Sequence, residues 1–525
     1  MSSAPEARPE GRSGGLRVSG ADTSARSQSV WMSAARVFAG LLTIGIPLVL
    51  VRVLAQSEFG HYKQIFLIAL TGQTLLALGV PGSLYYFVPR DREAGHRYQT
   101  QSLWLLVLLG LLAAGLVLIA GSGIERLFHA ELGRYLPLLA LFVALAIPAS
   151  LIPVAPMVDR RSRLAATLVV TLDLVRAGLL IGVALVTRSL FWIVVAACVA
   201  MALQLGTAVG YLLRSGGSAT WRPDPARIKE QLAYVLPFSG ASTIGFARQK
   251  IHAYYVGAAF SAAEFAVYAA ATINIPLISQ FSQTIEEVVV LENAAHHSGG
   301  RTAEMRRVWH RASHLLGLVM IPVWLIAETF APEMIRLLYG APYAGATPIF
   351  RIFLCMLPLS VFLGSPMLRA AGDTRRMIVA DLIALVVAVG VLVAFAGPFG
   401  PLAAVASLVC GKAAYMFAAA GRTARRLGLG VTDLLHWRAL SGITALAAIS
   451  AFAVAGLADL IGVPWVAKLF AGGPAAGLLF LGAAWRLGLV PESEKEWARD
   501  VVGRVRVRLR ALWHRIMRAE PRPRS

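Results

Sequence analysis

The sequence predicts an all-α polytopic membrane protein: about fourteen transmembrane helices, built as two parallel-repeat six-helix lobes followed by a C-terminal helix pair. Three observations predict this. Mean hydropathy is +0.67, 57% of the residues are hydrophobic and 15% are charged, a composition that belongs in a bilayer. Apolar stretches recur from Val30 to Leu489, each roughly 20 residues long, enough to cross a hydrocarbon core as a helix. The middle of the chain also repeats itself. Glu58-Phe59-x-x-Tyr62 recurs as Glu264-Phe265-x-x-Tyr268, an offset of 264 − 58 = 206. Pro148-x-Ser150, followed by Pro156-Met157, recurs as Pro358-x-Ser360 and Pro366-Met367, an offset of 358 − 148 = 210. Two unrelated motifs at nearly one offset indicate duplicated halves. Each half holds an even number of spans, so both enter from the same side and the repeat is parallel.

The expected spans are 30–54, 64–88, 102–121, 136–156, 164–187, 191–213, 233–257, 265–290, 311–329, 346–367, 376–396, 402–421, 440–462 and 468–488. Their loops set the orientation. One side carries Arg90, Arg92, Arg97, Arg160, Arg161, Arg163, Arg301, Arg306, Arg307, Arg369, Arg375 and Arg376 among many cations. The other carries little beyond Arg52, Lys63, Arg126, Arg134, Arg188, Arg336 and Lys468. Positive charge collects on the cytoplasmic side, so both termini are expected in the cytoplasm.

The organisation that follows begins with a disordered cytoplasmic tail, 1–29, and an N-lobe, 30–213. A cytoplasmic linker, 214–232, leads to a C-lobe, 233–421, an extra hairpin, 422–488, and a basic amphipathic tail, 489–525. The first apolar stretch is too long for a signal-peptide core and lacks a small-residue cleavage site. In the last segment Trp497, Val501, Val505, Leu509, Leu512 and Ile516 step by three or four residues, with arginines filling much of the rest. That pattern suits a helix lying on anionic lipids; a solvated basic tail is the alternative.

The net charge of +21 resembles that of a nucleic-acid binder. Its cations sit in short loops and tails beside spans, so topology explains them and no nucleic-acid partner is expected. Arginine greatly outnumbers lysine, as in GC-rich bacterial coding sequences. Cys198, Cys355 and Cys410 fall inside apolar stretches and read as small core residues, with no metal cluster or cofactor implied. The chain has no G-x-x-x-x-G-K-[ST] loop and no His-Glu-x-x-His, and its outer loops are too short for glycosyl-transfer chemistry. A transporter is expected, not an enzyme.

The Glu58-Phe59-Gly60-x-Tyr62 turn, its copy after the seventh span, and Arg369-Ala370-Ala371-Gly372-Asp373-Thr374 carry a family resemblance over roughly residues 30–425. The chain resembles the polysaccharide (O-antigen) exporters of the multidrug/oligosaccharidyl-lipid/polysaccharide (MOP) superfamily. The resemblance implies a two-lobed, MATE-like helical transporter in the bacterial inner membrane. It would turn an undecaprenyl-diphosphate-linked oligosaccharide from the cytoplasmic to the outer leaflet for O-antigen, exopolysaccharide or capsule synthesis, beside a polysaccharide polymerase or co-polymerase. The extra helix pair also occurs in lipid II flippases, which keeps a peptidoglycan-precursor substrate open. A multidrug or cation antiporter of the same superfamily is a further alternative.

Ionisable groups inside a bilayer cost roughly 2.5–3.5 kcal/mol each on insertion scales, so they need water, a partner or a function. The candidates are Arg36, Asp173, Arg176, Arg248, Lys250, Glu286, Glu287, Arg351, Asp381 and Lys412. Arg248 shares a helix face with Gly245, His252 and Tyr255, where a guanidinium can hold a diphosphate bidentately. Lys250 lies about 200° around the same helix, so it either shares the cavity obliquely or snorkels outward. Arg36, in the cytoplasmic third of the first span, is placed to meet the headgroup early. Asp173 and Arg176 are three residues apart on one face, as an internal ion pair or a switchable one. In the switchable reading substrate phosphate takes Arg176 and Asp173 is freed for a coupling proton or sodium. Glu286 and Glu287 end the eighth span as gate residues or as a solvated edge.

Overall fold

A computed structural model describes residues 45–128, 132–215, 221–273, 275–298, 301–363, 365–370, 372–428, 430, 433, 435–492, 494–496 and 499–500. The N-terminal tail, Arg36 and nearly all of the basic C-terminal tail lie outside these residues. Among the described residues every regular element is helical. Nine helices among them are long and apolar enough to cross a membrane. They correspond to expected spans two, three, five, six, nine and eleven to fourteen. The protein is a multi-pass membrane protein.

The remaining spans differ in informative ways. The fourth span runs Leu136–Ala149, stops, and resumes as the short helix Ala155–Val158. The tenth runs Ala346–Leu354 and Met356–Leu359, tightens into a 3-10 turn at Ser360–Phe362, stops, and resumes as Pro366–Ala370. Both breaks fall inside the repeated Pro-x-Ser…Pro-Met segment, because proline withholds a backbone donor and clashes with the preceding turn. The eighth span breaks similarly, between Ala262–Ala271 and Pro276–Ser298. The seventh is long, Pro225–Ala259, and polar. It begins within the expected linker because Asp224 caps it, accepting from the Ala226 and Arg227 amides at 3.1 and 3.3 Å.

The first repeated motif builds two helix starts. Glu58 reaches back to the Ala55 amide at 3.4 Å, and Glu264 to the Ser261 amide at 2.9 Å. The Phe and Tyr that follow are core residues in both copies: Phe59, Tyr62, Phe265 and Tyr268 are all buried. The copies then dock on each other across the lobe boundary. A Cβ on Gly60 would sit 1.8 Å from the Ala262 carbonyl oxygen. The second copy has Ala266 at the matching position and needs no glycine there. Phe59 meets Tyr343 edge-on at 6.2 Å, Arg52 Nη2 donates to the Leu337 carbonyl at 2.8 Å, and Gln64 Nε2 to the Gly257 carbonyl at 3.3 Å. The lobes are closed at this end.

At the opposite end the seventh span leans on the N-lobe. Tyr98 OH donates to Glu230 and Gln231 Nε2 to Ser102 Oγ, both at 2.9 Å, and Ser239 Oγ to the Leu78 carbonyl at 2.7 Å. Farther along, the same helix joins the C-lobe through Asp381 and the Ala396 carbonyl. One helix thus touches both lobes. The C-terminal pair, Trp437–Leu460 and Trp465–Arg486, docks on the ninth span, Thr302–Thr329, where Trp309, Leu316, Ile443 and Phe480 form a shared core. Lys468 fastens the turn between the two helices of the pair, 3.2 Å from Glu333 and 2.7 Å from Asp459.

The close approach at Gly60 has a measurable consequence. Gly60→Val should force the Ala262 backbone away, since volume inserted into a packed interface costs about 1–3 kcal/mol. In a background without native cysteines, Tyr343→Cys should become reactive to a membrane-impermeant thiol reagent only when combined with Gly60→Val. Unchanged labelling would mean that this approach does not hold the lobes together.

Candidate functional site

A cavity of about 700 Å³ lies between the lobes. The N-lobe contributes Ile46, Pro47, Tyr62, Lys63, Phe66, Leu70, Gln73, Phe142, Arg176 and Gln204; the C-lobe contributes Ala269, Thr272, Ile273, Ser279, Gln280 and Gln283. The ionisable lining is cationic: Lys63 and Arg176, with no carboxylate among the described lining residues. Gln73, Gln204, Gln280 and Gln283 supply hydrogen-bonding capacity, and Tyr62, Phe66 and Phe142 supply flat apolar faces. Such a lining attracts an anion and sets flat apolar faces beside hydrogen-bonding groups.

Arg176 is paired on one side only. Its Nη2 lies 3.1 Å from Asp173 Oδ1 on the same helix, and its Nε is buried without a hydrogen-bond partner in the protein. One side of the guanidinium is thus held by a carboxylate while the residue faces the cavity. Lys63 stands on the face Lys63, Phe66, Leu70, Gln73 of the second span, with its ammonium over the Phe59 ring at 5.3 Å. The expected span edges put Lys63 in an outer loop, and the structure corrects this. The helix starts at Gln56, because Glu58 caps it, and Lys63 is two turns inside. The signal available in the sequence is the i, i+3, i+7, i+10 run from Lys63 to Gln73.

Arg248 stands elsewhere. Its Nε lies 3.0 Å from Asp381 Oδ1 and its guanidinium lies over Tyr415 at 5.0 Å, so it joins the seventh span to the eleventh and twelfth. It does not line the cavity. Lys250, two residues on, is half-buried and does not line the cavity either. Glu286 pairs with Arg369 at 2.9 Å, which ties the eighth span to the end of the tenth; Glu287 is exposed. Lys412 Nζ donates to the Met356 carbonyl at 3.2 Å, and Arg351 lies 3.5 Å from Glu328.

The aspartates expose a third echo of the duplication, which motif spacing alone does not pick out. Asp381 − Asp173 gives 208, between the two motif offsets, and Asp-Leu followed by Gly-Val at positions nine and ten recurs in both helices. The two lobes therefore carry matching aspartates with different partners. Asp381 is taken by Arg248 of another span, Asp173 by Arg176 of its own turn. The position matching Arg176 is Ala384 (176 + 208), so the C-lobe has no cation there.

Two helical lobes closed at one end over a cationic cavity make a fold shared with solved membrane transporters. Solved structures agree. The lipid II flippase MurJ in an inward closed conformation has a TM-score of 0.65 at 12% identity, covering 88% of this chain and 100% of that one. An inward-facing multidrug resistance MATE family transporter of the MOP superfamily gives 0.58 at 15%, covering 76% and 94%. A MOP superfamily transporter from Pyrococcus furiosus, described as having reverse polarity of its binding pocket, gives 0.55 at 15%, covering 76% and 95%. No curated protein sequence matches the chain. The polysaccharide biosynthesis protein family matches residues 49–348, and the chain belongs to that family.

Proposed function

We propose that this protein is a flippase. It carries an undecaprenyl-diphosphate-linked oligosaccharide from the cytoplasmic to the outer leaflet of a bacterial inner membrane, by alternating access, for surface polysaccharide synthesis. The observation that carries the reading is the cavity whose charged lining is Lys63 and Arg176. A diphosphate is neutralised there, the glutamines and aromatic rings receive the sugars, and the polyprenyl chain stays in lipid. A cationic lining disfavours a cation antiporter, which needs acidic groups to attract its cargo. Both termini are cytoplasmic in this reading, and a polymerase or co-polymerase takes the delivered unit.

The proposed roles follow position. Arg176 and Lys63 bind the diphosphate. Arg36, outside the described residues, and Lys250 draw the headgroup inward. When phosphate takes Arg176, Asp173 is released to bind a proton or sodium. Arg248 and Asp381 hold the C-lobe together during the motion. Glu286, paired with Arg369, secures the arginine-rich end of the eighth span. The basic tail rests on anionic lipid. A lipid II-type precursor is a second reading, favoured by the longer match with the lipid II flippase, 88% of this chain against 76% for the MATE transporter.

The test is reconstitution. Proteoliposomes holding a fluorescent polyprenyl-diphosphate trisaccharide should expose it to an impermeant quencher at a rate that rises with protein content. The same glycan on a polyprenyl monophosphate should move about tenfold more slowly, since one charge-assisted hydrogen bond of ~1.4 kcal/mol is worth that factor. Equal rates for both lipids would remove the diphosphate from the recognition. Movement of a pentapeptide-bearing precursor in preference to the trisaccharide lipid would select the second reading.

A further inference from the structure

A second cavity, of about 460 Å³, lies in the arginine-rich rim of the N-lobe, away from the space between the lobes. It sits among the ends of the second to sixth spans, and Arg92, Arg160, Arg161 and His96 line it. The carboxylate in the wall, Asp159, is already engaged: it accepts from Gln99 Nε2 at 2.6 Å and from the Tyr211 hydroxyl. The cations therefore outnumber the acid, and the acid is turned to its own partners. Two helices, Gly95–Ile119 and Ser162–Thr187, begin at this rim and aim their positive ends at it. His96 Nε2 and Ser162 Oγ are buried there without hydrogen-bond partners in the protein.

The backbone gives an independent sign. Arg160 has φ +61, in the left-handed region where a side chain is strained and glycine is the usual occupant. The turn closes by bonds from the Arg160 amide to the Met157 carbonyl at 3.0 Å and from the Arg161 amide to the Pro156 carbonyl at 2.8 Å. The C-lobe makes the same turn after its own copy of Pro-Met. There the bonds run from the Gly372 amide to the Arg369 carbonyl at 3.0 Å and from the Asp373 amide to the Leu368 carbonyl at 2.9 Å. The residue in the left-handed position is Gly372, φ +65. The C-lobe turn comes two residues farther from its Pro-Met pair (372 − 367 = 5 against 160 − 157 = 3) and is made with glycine, whereas the N-lobe turn is made with a strained arginine lining a cavity. Left-handed non-glycine residues also occur at Leu78, Arg188 and Leu363, and of the four only Arg160 lines this cavity.

We propose that this rim cavity binds a phosphate group, with Arg160 and Arg161 as its principal ligands. Two sources share that chemistry: the headgroup of an anionic phospholipid in the adjoining leaflet, and a free phosphate compound. Val88, Pro89 and Met157 give the cavity an apolar wall beside its cations, and Tyr85 at its edge is 54% exposed, as a lipid-facing residue would be. Basic pockets between membrane helices are general receivers of anionic headgroups.

Native mass spectrometry of the full chain, released from detergent with added phosphatidylglycerol or phosphatidylcholine, tests the site. Phosphatidylglycerol should bind about tenfold more tightly than phosphatidylcholine. Arg160→Gly with Arg161→Ala should remove that preference. Arg160→Gly alone guards against a folding artefact, because glycine suits the turn. Its melting temperature in detergent should stay level or rise while lipid affinity falls several-fold. Displacement of the lipid by millimolar glycerol phosphate, or thermal stabilisation by inorganic phosphate without lipid preference, would assign the site to a soluble phosphate. Equal phosphatidylglycerol binding by wild type and both variants, with no effect of phosphate, would overturn the proposal.

Discussion

Arg176→Ala is expected to reduce flipping of the diphosphate-linked glycan by one to two orders of magnitude at matched protein levels. Removing one charge-assisted hydrogen bond from a partly desolvated site costs roughly 1.5–3 kcal/mol, and 1.4 kcal/mol is tenfold. Lys63→Ala should do the same, and the two together should approach the background rate. Arg176→Lys should recover a part, because charge survives while the planar fork that can hold Asp173 and a phosphate at once does not. The comparison that decides is Asp173→Asn with Arg176 intact. Freed from its carboxylate, Arg176 should hold the substrate more tightly and release it more slowly, so binding improves while turnover falls. Normal transport by Arg176→Ala would remove this residue from the diphosphate site. Normal transport by Asp173→Asn would remove the exchange of partners from the mechanism.

The fold is legible where the sequence carries periodic, local signals. Long apolar runs mark the regular spans, and the duplicated motifs mark the halves. In sequence the two Glu-Phe-x-x-Tyr segments are landmarks only. Their physical content, helix caps whose aromatic residues seal the lobe boundary, appears once Gly60 is seen against Ala262. Prolines mark the broken fourth and tenth spans, yet hydropathy alone draws them as continuous. Hydropathy also starts the seventh span eight residues late (233 − 225), because its first turns are polar and rest on the N-lobe, held by residues far away in sequence. The site is legible in part for the same reason. Arg176 and Asp173 share one turn, so spacing reveals their pairing. Arg248 and Asp381 are 133 positions apart, and nothing local joins them. Lys63 is hidden by a span edge that hydropathy places too late.

The Arg248–Asp381 pair yields the other large effect. Both side chains are mostly buried, at 12% and 17% exposure, and Tyr415 covers the guanidinium. Arg248→Ala leaves the Asp381 carboxylate inside the bilayer without its cation, a loss of about 3–5 kcal/mol for a broken buried pair. The expected result is a sharp fall in the amount of folded protein, before transport is considered. Adding Asp381→Ala removes the stranded charge, and accumulation should return to near the wild-type level, since a buried pair replaced as a whole is often close to neutral. The double variant then separates two roles that the single one confounds. If Arg248 serves the C-lobe only, the double variant transports the glycan at a rate within a few-fold of wild type. If its guanidinium also meets the diphosphate during the cycle, the double variant accumulates and does not transport. The geometry predicts the first outcome, because Arg248 is aimed at the eleventh span and the cavity cations Lys63 and Arg176 are aimed at the space between the lobes.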